Sequence, residues 1–214
     1  TGRPESERDG GTSLGPEGND WPDNFRRFAR LGRAAALIGV GGAMMGWQPD
    51  VIHANDWQTG LVPVYLEQWG DPVPPCVYTI HNIDYQGIFG PEVMGHVGLD
   101  HQHFRLDGIE YHGWVSYLKA GLVYARSLTT VSPTYAGEVQ TPAFGRGMDG
   151  VIRARAGDMR GILNGVDYEV WNPQVDRLLP APSSAARLAR NAAHTPALPP
   201  RAPPPPDPRT PPAR

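Results

Sequence analysis

The stretch of residues 51–88, VIHANDWQTGLVPVYLEQWGDPVPPCVYTIHNIDYQGI, places the strongest constraint on the fold of this chain. Two short apolar runs, at residues 51–52 and 76–80, flank an amphipathic stretch at residues 57–69. This order is typical of two parallel strands joined by a crossover helix, because a tight turn cannot connect parallel strands. Residues 51–88 are therefore predicted to form a β-α-β unit.

Polar residues follow both predicted strands of this unit. The letters HAND, which end at Asp56, follow the first strand, and the letters HN, for His81 and Asn82, follow the second. The carboxyl ends of strands in an open parallel sheet line the ligand crevice, so Asp56 and His81 are expected to face the same opening. Two simpler interpretations stay open: Asp56 caps the helix that begins at Trp57, and His81 is a hydrogen-bonded histidine of the core.

The rest of the chain also alternates between helical and strand patterns. A helix is predicted to begin at an Asp23 or Asn24 cap and to run through residues 25–45. A helix at 114–125, a strand at 127–131, a helix capped by Ser132, a helix at 147–155 and a strand at 161–163 follow. Such alternation predicts a doubly wound parallel sheet with flanking helices. The apolar face predicted for the first helix contains Phe25, Phe28, Ala29, Leu31, Ala35, Ala36 and Ile38.

The helix predicted at 114–125 has its own apolar stripe. Lys119, the only lysine of the chain, is expected on the flank opposite that stripe. The stripe contains Val115, Leu118, Leu122 and Val123.

Composition divides the chain into three parts. Residues 1–13 are polar, residues 14–175 carry the strand and helix patterns, and residues 176–214 are rich in Pro, Ala and Arg and are expected to be disordered. The formal net charge is −3, and residues 180–214 contain five Arg against the single acid Asp207, so the folded part is acidic. An acidic folded part argues against nucleic acid as a partner.

The location of the protein is predicted from what its sequence lacks. No apolar run approaches the roughly 20 residues that span a bilayer, and no signal-peptide pattern is present. Cys76 is the only cysteine, which fits a reducing compartment. A cytoplasmic protein without membrane contact is expected, while the oligomeric state is not predicted.

Histidines cluster in a region without strong periodicity, at residues 90–112. Four of the seven histidines of the chain fall there, and the letters HQH at residues 101–103 raise the question of a metal. Cysteine or carboxylate partners at a characteristic ligand spacing do not accompany them, so solvent-exposed loop histidines and no metal are expected. The four are His96, His101, His103 and His112.

The polar strand ends favour a polyhydroxy ligand. A carboxylate, an imidazole and a carboxamide, from Asp56, His81 and Asn164, can each fix one hydroxyl by hydrogen bonding. Trp57 and Tyr85 are candidates for stacking on the apolar face of a sugar. A turn role for Asn164, which precedes a glycine, stays open.

Several long motifs make the chain similar to bacterial glycogen synthases and plant starch synthases, glycosyltransferase family 5. The resemblance begins near residue 14 with LGPEGNDWPDNFRRFARL and continues through HANDWQTGLVPVYL and YTIHNIDYQGIF. The resemblance extends further through YLKAGLVYARSLTTVSPTYAGEVQTP, FGRGMDGVI and GILNGVDYEVWNP, and it ends near residue 173. The motifs occur in the order that the family has them.

The resemblance implies a fold, a reaction and a set of site residues. The fold is the N-terminal Rossmann-like domain of a two-domain GT-B enzyme. The reaction moves glucose from ADP-glucose to the non-reducing end of an α-1,4-glucan, with retention and without a metal or cofactor. Asp56 and His81 match catalytic positions. Asn82, Tyr85, Gln86 and Asn164 match substrate-binding positions.

Some family features have no match in this sequence. A Lys-Thr-Gly-Gly loop, the strand that carries it and the Arg/Lys pair of the second domain do not occur, and Lys119 matches none of them. Because charges on the diphosphate stabilise the transition state, the chain is expected to be an inactive fragment with an unpaired sheet edge.

Two alternatives to a partial ADP-glucose enzyme stay open. A non-catalytic glucan-binding module would keep the acceptor side of the cleft without the donor side. A sucrose-synthase-like enzyme with another nucleotide sugar fits the HANDW and TIHNIDYQG motifs poorly. The sequence does not distinguish ADP-glucose from UDP-glucose.

Overall fold

A computed structural model describes residues 13–15, 17–41, 46–70, 72–179 and 184. The chain divides into two units, residues 1–164 and residues 165–214. The helices of the first unit are α1 (Asn24–Gly39), α2 (Val62–Trp69), α3 (Met94–Val97), α4 (Tyr117–Tyr124), α5 (Pro133–Glu138) and α6 (Asp149–Ala154). Its strands are β1 (Ile52–Asn55), β2 (Cys76–Ile80), β3 (Ile88–Phe89), β4 (Glu110–Tyr111), β5 (Trp114–Ser116), β6 (Ser127–Thr130) and β7 (Met159–Gly161).

The central sheet is parallel, with strand order β1-β2-β6-β7. The predicted β-α-β unit is present, and β2 has the predicted bounds. β1 continues past the apolar pair into the polar letters HAN, because each of these residues pairs with a residue of β2. β7 lies two residues before its predicted position, and Ile162 and Leu163 beyond it are exposed. The predicted parallel sheet with flanking helices is confirmed.

The two faces of this sheet differ in polarity. Alternate residues that share one face, such as Ala54, Tyr78 and Leu128, are buried in the main core. On the other face a chain of hydrogen bonds crosses three strands, from His53 Nε2 to the hydroxyl of Thr79 and on to the hydroxyl of Thr129. Side chains on this face thus add hydrogen bonds between neighbouring strands to those of the backbone.

A second, antiparallel sheet with order β3-β5-β4 contradicts the predicted helix at 114–125. Trp114–Ser116 form strand β5, and the helix begins only at Tyr117. The two-residue turn between β4 and β5 consists of His112 and Gly113, at φ 51° and 83°. Positive φ at both central residues is typical of the tight turns that join antiparallel strands.

Helix α1 begins where predicted, but its buried face is different. Neither Asp23 nor Asn24 makes a side-chain capping bond in the described structure; Asn24 is buried and its amide donates to Ser13 O at 2.8 Å. Leu31 and Ile38, expected in the core, are 50% and 43% exposed. Besides Asn24, the residues that α1 buries are Phe28, Ala29, Gly32, Ala36 and Gly39.

Helix α2 begins at Val62, five residues after its predicted start, whereas α5 and α6 lie where the sequence predicts them. Pro63 lies in the first turn of α2, where its missing N–H costs nothing, and a 3₁₀ turn at Trp57–Thr59 precedes the helix. Ser132 caps α5, since its hydroxyl accepts a hydrogen bond from Tyr135 N at 2.9 Å. Helix α6 lies within the predicted 147–155 range.

The described part of the second unit, residues 165–179 and 184, consists of turns. Asp167, Asn172 and Asp176 each accept a hydrogen bond from a backbone N–H two residues further along the chain. Across both units, none of the described helices is long and apolar enough to cross a membrane.

Candidate functional site

Asp56 connects the ends of two neighbouring strands. It directly follows β1, and its Oδ1 accepts a hydrogen bond of 2.8 Å from the backbone N–H of His81, directly after β2. Its side chain makes no capping bond to the 3₁₀ turn that follows. The interpretation of Asp56 as a helix cap is therefore wrong, and its predicted place beside His81 is confirmed.

The backbone of Asp56 is strained. Its φ is 55° and its ψ is 179°, a region that non-glycine residues rarely adopt. Its N–H donates to Thr79 O at 2.9 Å, which holds this conformation in the sheet. Backbone strain of this kind is concentrated at functional sites, where the surrounding structure enforces it.

His81 is exposed, so the interpretation of a core histidine is wrong. Its Nε2 lies 3.1 Å from Oδ1 of Asn55, the last residue of β1. As the carboxamide is placed, its oxygen can only accept, so Nε2 donates to Asn55 and Nδ1 is the ring nitrogen left for a ligand. Asn55 thus orients the imidazole, a role that the sequence reasoning missed although Asn55 directly precedes Asp56.

The segment after His81 turns sharply towards a cleft. The side-chain oxygen of Asn82 accepts a hydrogen bond from Asp84 N at 2.9 Å, which closes the turn. Ile83 is buried, and its N–H donates to the hydroxyl of Tyr135. Gly87 has φ 57°, and a Cβ there would lie 2.3 Å from the Trp57 ring. The glycine of the YQG letters is therefore required for the chain to pass over Trp57.

A cleft of about 520 Å³, the Tyr85 cleft, lies beside this segment. Tyr85, 65% exposed, and Gln86 line it, whereas Asp56, His81 and Asn164 do not. Two carboxylates, Asp20 and Asp84, also line it, and no Lys or Arg does so within the described ranges. An acidic lining suits a neutral polyhydroxy ligand better than a diphosphate. The full lining is Ser13, Leu14, Asp20, Asn24, Trp57, Gln58 and residues 84–89.

Trp57 is not available as a stacking platform. It is 5% exposed and packs against Phe28, with ring centroids 4.8 Å apart, and against Phe89 and Tyr117. Its expected role in stacking on a sugar is therefore wrong, and its role is in the core. Tyr85 is the exposed aromatic residue at this position.

The predicted site residues thus fall into two adjacent groups and one separate residue. Asp56 and His81 are hydrogen-bonded at the strand ends, while Tyr85 and Gln86 line the cleft four to five residues further along the chain. Asn82 lies between the two groups in the chain. Asn164 is exposed, and the described hydrogen bonds do not connect it to either group.

Lys119 is buried rather than on an exposed flank. It is 5% exposed, and its Nζ donates to the carbonyl oxygens of Leu106, at 2.6 Å, and Glu110. Burial lowers its pKa, against the opposing effect of Glu110 and Asp107. The only lysine of the chain therefore fixes a loop and is not free to bind a phosphate.

One of the clustered histidines contradicts the expectation of exposure. His103 is 1% exposed, its Nδ1 lies 3.1 Å from the hydroxyl of Tyr124, and its Nε2 lies 3.6 Å from Glu67. It therefore joins the 101–103 turn to helices α2 and α4. Across the described residues, His, Cys, Asp and Glu form no group of three that could hold a metal ion.

Comparisons with known proteins identify the family to which the chain belongs. The family model described as the starch synthase catalytic domain matches residues 5–154. Among curated relatives, the glycogen synthase of Rhodospirillum rubrum is 54% identical over 180 residues, covering 84% of this chain and 37% of the relative. That of Roseobacter denitrificans is 53% identical over 174 residues, covering 81% of this chain and 36% of the relative.

A solved structure with a similar fold is the catalytic domain of starch synthase IV from Arabidopsis thaliana, bound to ADP and acarbose. Its TM-score is 0.61 at 34% identity, covering 79% of this chain and 36% of that one. This chain thus spans a little over a third of the length of the curated relatives named here. The resemblance to glycogen and starch synthases is confirmed, and the chain belongs to the starch synthase catalytic domain family.

Proposed function

We propose that this chain supplies the acceptor-side half of a retaining glucosyltransferase site, which moves glucose from ADP-glucose to the non-reducing end of an α-1,4-glucan. The observation that carries the proposal is the bond between the Asp56 carboxylate and the His81 backbone, beside an acidic cleft. Membership of the starch synthase family supports the reaction class. The ADP and acarbose bound to starch synthase IV support a nucleotide and a sugar-like ligand.

The two strand-end residues take different roles in this proposal. The free Nδ1 of His81 accepts a hydrogen bond from a sugar hydroxyl, because Asn55 occupies Nε2. The carboxylate of Asp56 stabilises the positive charge that develops on an oxocarbenium-like transition state. In this mechanism no residue of the chain acts as a nucleophile, so retention arises from attack on the face that the diphosphate leaves.

The cleft residues bind the glucan. Tyr85 presents an exposed ring to the apolar face of a glucose unit, and Gln86 and Asp84 offer hydrogen-bonding groups to its hydroxyls. We assign Asn82 and Asn164 to substrate binding by their match to the family motifs. These contacts can form at any position along the glucan, since every glucose unit carries the same hydroxyls.

The diphosphate requires positive charge that these groups do not provide. Lys119 is buried and bonded to two carbonyl groups, and the Tyr85 cleft has an acidic lining. We therefore propose that the 214-residue chain binds an α-1,4-glucan but does not transfer glucose when assayed by itself. The same observation favours a second candidate, a glucan-binding module without catalysis.

Titration with maltoheptaose tests glucan binding. We expect binding to the 214-residue chain, weakened about tenfold in His81→Ala and in Tyr85→Ala, because each loses a ligand contact. His101→Ala, an exposed histidine outside the site, serves as the matched control and should bind like wild type. Absence of binding, or equal affinity in all variants, overturns the proposal.

Incorporation of labelled glucose from ADP-glucose into glycogen tests whether the 214-residue chain transfers glucose by itself. Transfer by the chain that is lost in Asp56→Asn shows that the catalytic groups present here suffice, and contradicts the proposed need for further charge. Glucan binding without transfer fits both candidates. The catalytic role of the acceptor-side residues is then tested in a full-length relative. A variant of that relative with the matching aspartate replaced by asparagine should lose transfer if the acceptor-side residues are catalytic.

A further inference from the structure

The loop Gly145-Arg146-Gly147, which we call the 145–147 loop, lies against the segment that lines the Tyr85 cleft. Arg146 has φ 50° and Gly147 has φ 82°, so two successive residues are left-handed. A Cβ at Gly147 would lie 2.1 Å from the Tyr111 hydroxyl, and one at Gly145 would lie 2.6 Å from Val139 O. The two glycines therefore allow a position of Arg146 that other residues would block.

Arg146 contacts two residues of the cleft. Its guanidinium Nε donates to the carboxylate of Asp84, and its backbone carbonyl accepts a hydrogen bond of 2.9 Å from Gln86 Nε2. The Tyr111 hydroxyl lies 3.4 Å from the same carbonyl. Some sixty residues separate Arg146 from Asp84 and Gln86, so the loop is brought to the cleft by the tertiary fold.

These contacts decide which atoms of Gln86 face a ligand. A backbone carbonyl only accepts hydrogen bonds, so the amide nitrogen of Gln86 must point towards Arg146 and its Oε1 must point elsewhere. The main chain of Gln86 is also held, because its carbonyl accepts from Leu118 N at 3.1 Å. Gln86 is thus fixed at both its main chain and its side chain.

We propose that Arg146 is a positioning residue that sets the specificity of the Tyr85 cleft. By pairing with Asp84 through its side chain and with the Gln86 amide through its carbonyl, it fixes the directions of the Asp84 carboxylate and of Gln86 Oε1, and these acceptor oxygens select a ligand rich in hydroxyl donors. The identity of that ligand as an α-1,4-glucan rests on the proposed function. The contacts of Arg146 with Asp84 and Gln86 are present in the chain without ligand.

The Arg146→Gly variant tests the contribution of the Arg146 side chain separately from that of its backbone carbonyl. Glycine keeps the carbonyl and adopts φ 50° without strain, so thermal stability should be unchanged or higher while the pair with Asp84 is lost. We expect maltoheptaose affinity to fall about five- to tenfold, and Arg146→Lys, which keeps the charge, to restore most of it. Arg105→Ala removes an ion pair of similar exposure outside the cleft and serves as the control.

Asp84→Asn gives an independent check on the pair. If Arg146 acts through Asp84, the double variant should bind maltoheptaose no more weakly than the weaker single variant. Affinity of Arg146→Gly within twofold of wild type overturns the proposal. A fall in affinity that occurs only together with a matching fall in melting temperature, and that lysine does not reverse, also overturns it.

A measurement without ligand distinguishes failure of this proposal from failure of the proposed function. The side-chain carboxyl signal of Asp84 in a ¹³C NMR spectrum, identified by its loss in Asp84→Asn, should shift in Arg146→Gly and recover in Arg146→Lys. If wild type binds no maltoheptaose but this signal behaves as expected, the positioning stands and the glucan assignment fails. An unchanged signal overturns the positioning.

Discussion

The side-chain carboxylate of Asp56 accepts a hydrogen bond of 2.8 Å from the backbone N–H of His81. Asp56 follows β1 and His81 follows β2, so this bond extends the pairing of the two strands beyond the last residues of the ladder. It also holds Asp56 in a strained backbone conformation. The geometry of the candidate site therefore depends on a contact between a side chain and the main chain.

The first prediction separates the hydrogen bond of Asp56 from its backbone strain. Asp56→Asn keeps an oxygen that accepts from His81 N, and we expect its free energy of unfolding to match that of wild type. Asp56→Ala should lose about 1–2 kcal/mol, since it loses the bond and keeps the strain, whereas Asp56→Gly should lose less. Urea denaturation measures the free energies of unfolding of the three variants. An Asp56→Ala variant that is as stable as wild type would contradict the prediction.

The sequence predicted the strand-end residues because their positions follow from the topology. Once residues 51–88 are interpreted as a β-α-β unit, Asp56 and His81 must lie at adjacent strand ends. Arg146 could not be found in this way, because a loop some sixty residues away reaches the cleft only through tertiary packing. The role of Asn55 could have been predicted from the sequence, since this polar residue directly precedes Asp56 at the end of a strand.

The second prediction concerns the buried cation. Lys119→Met keeps the aliphatic stem but leaves the carbonyl groups of Leu106 and Glu110 without their donor. We expect the free energy of unfolding to fall by about 1–3 kcal/mol, with relief of the buried charge offsetting part of the loss. Arg105→Met, which breaks an exposed ion pair, should change it by less than about 0.5 kcal/mol. Equal effects of the two changes in urea denaturation would contradict the structural role of Lys119.

The error in the predicted helix at 114–125 arises because apolar periodicity does not distinguish short strands from helix ends. Trp114 and Val115 fit a helical stripe, yet the two positive-φ residues before them make a hairpin and place both in β5. The signal present in the sequence was the His112-Gly113 pair, which is short but specific for a tight turn. Burial of Lys119 has no such local signal, because the carbonyl groups that hold it come from Leu106, in a preceding loop, and from Glu110 of β4.

The third prediction compares two helical glycines. A Cβ at Gly121 of α4 would lie 2.3 Å from the Tyr78 ring, whereas one at Gly137 of α5 would have no described atom within 4 Å. Gly121→Ala should therefore lower the free energy of unfolding by about 1–3 kcal/mol through overpacking. Gly137→Ala should raise it by up to about 1 kcal/mol through helix propensity. Thermal melts of both variants measure the difference, and a stabilised Gly121→Ala would show that α4 does not pack on β2 as described.

The last prediction is loss of stability at alkaline pH. Burial raises the pKa of Tyr65, Tyr78 and Tyr117 above the usual value near 10, and raises the pKa of the Cys76 thiol to about 12. In the unfolded chain these groups ionise between about pH 8.5 and 10, while the folded chain keeps their protons. The folded state then binds more protons, so the free energy of unfolding must fall as the pH rises through this range.

The size of this effect follows from the number of groups. Each of the three tyrosines and Cys76 contributes about 1.4 kcal/mol per pH unit above pH 10, so the four together contribute about 5.5 kcal/mol per pH unit. Urea denaturation between pH 8 and 11 measures the slope, and absorbance at 295 nm reports tyrosine ionisation. Tyr78→Phe removes a hydroxyl that has no hydrogen-bond partner among the described residues, so the variant should fold and show about three quarters of the slope. If every tyrosine ionises near pH 10 while the chain is still folded, the tyrosines are not buried as described.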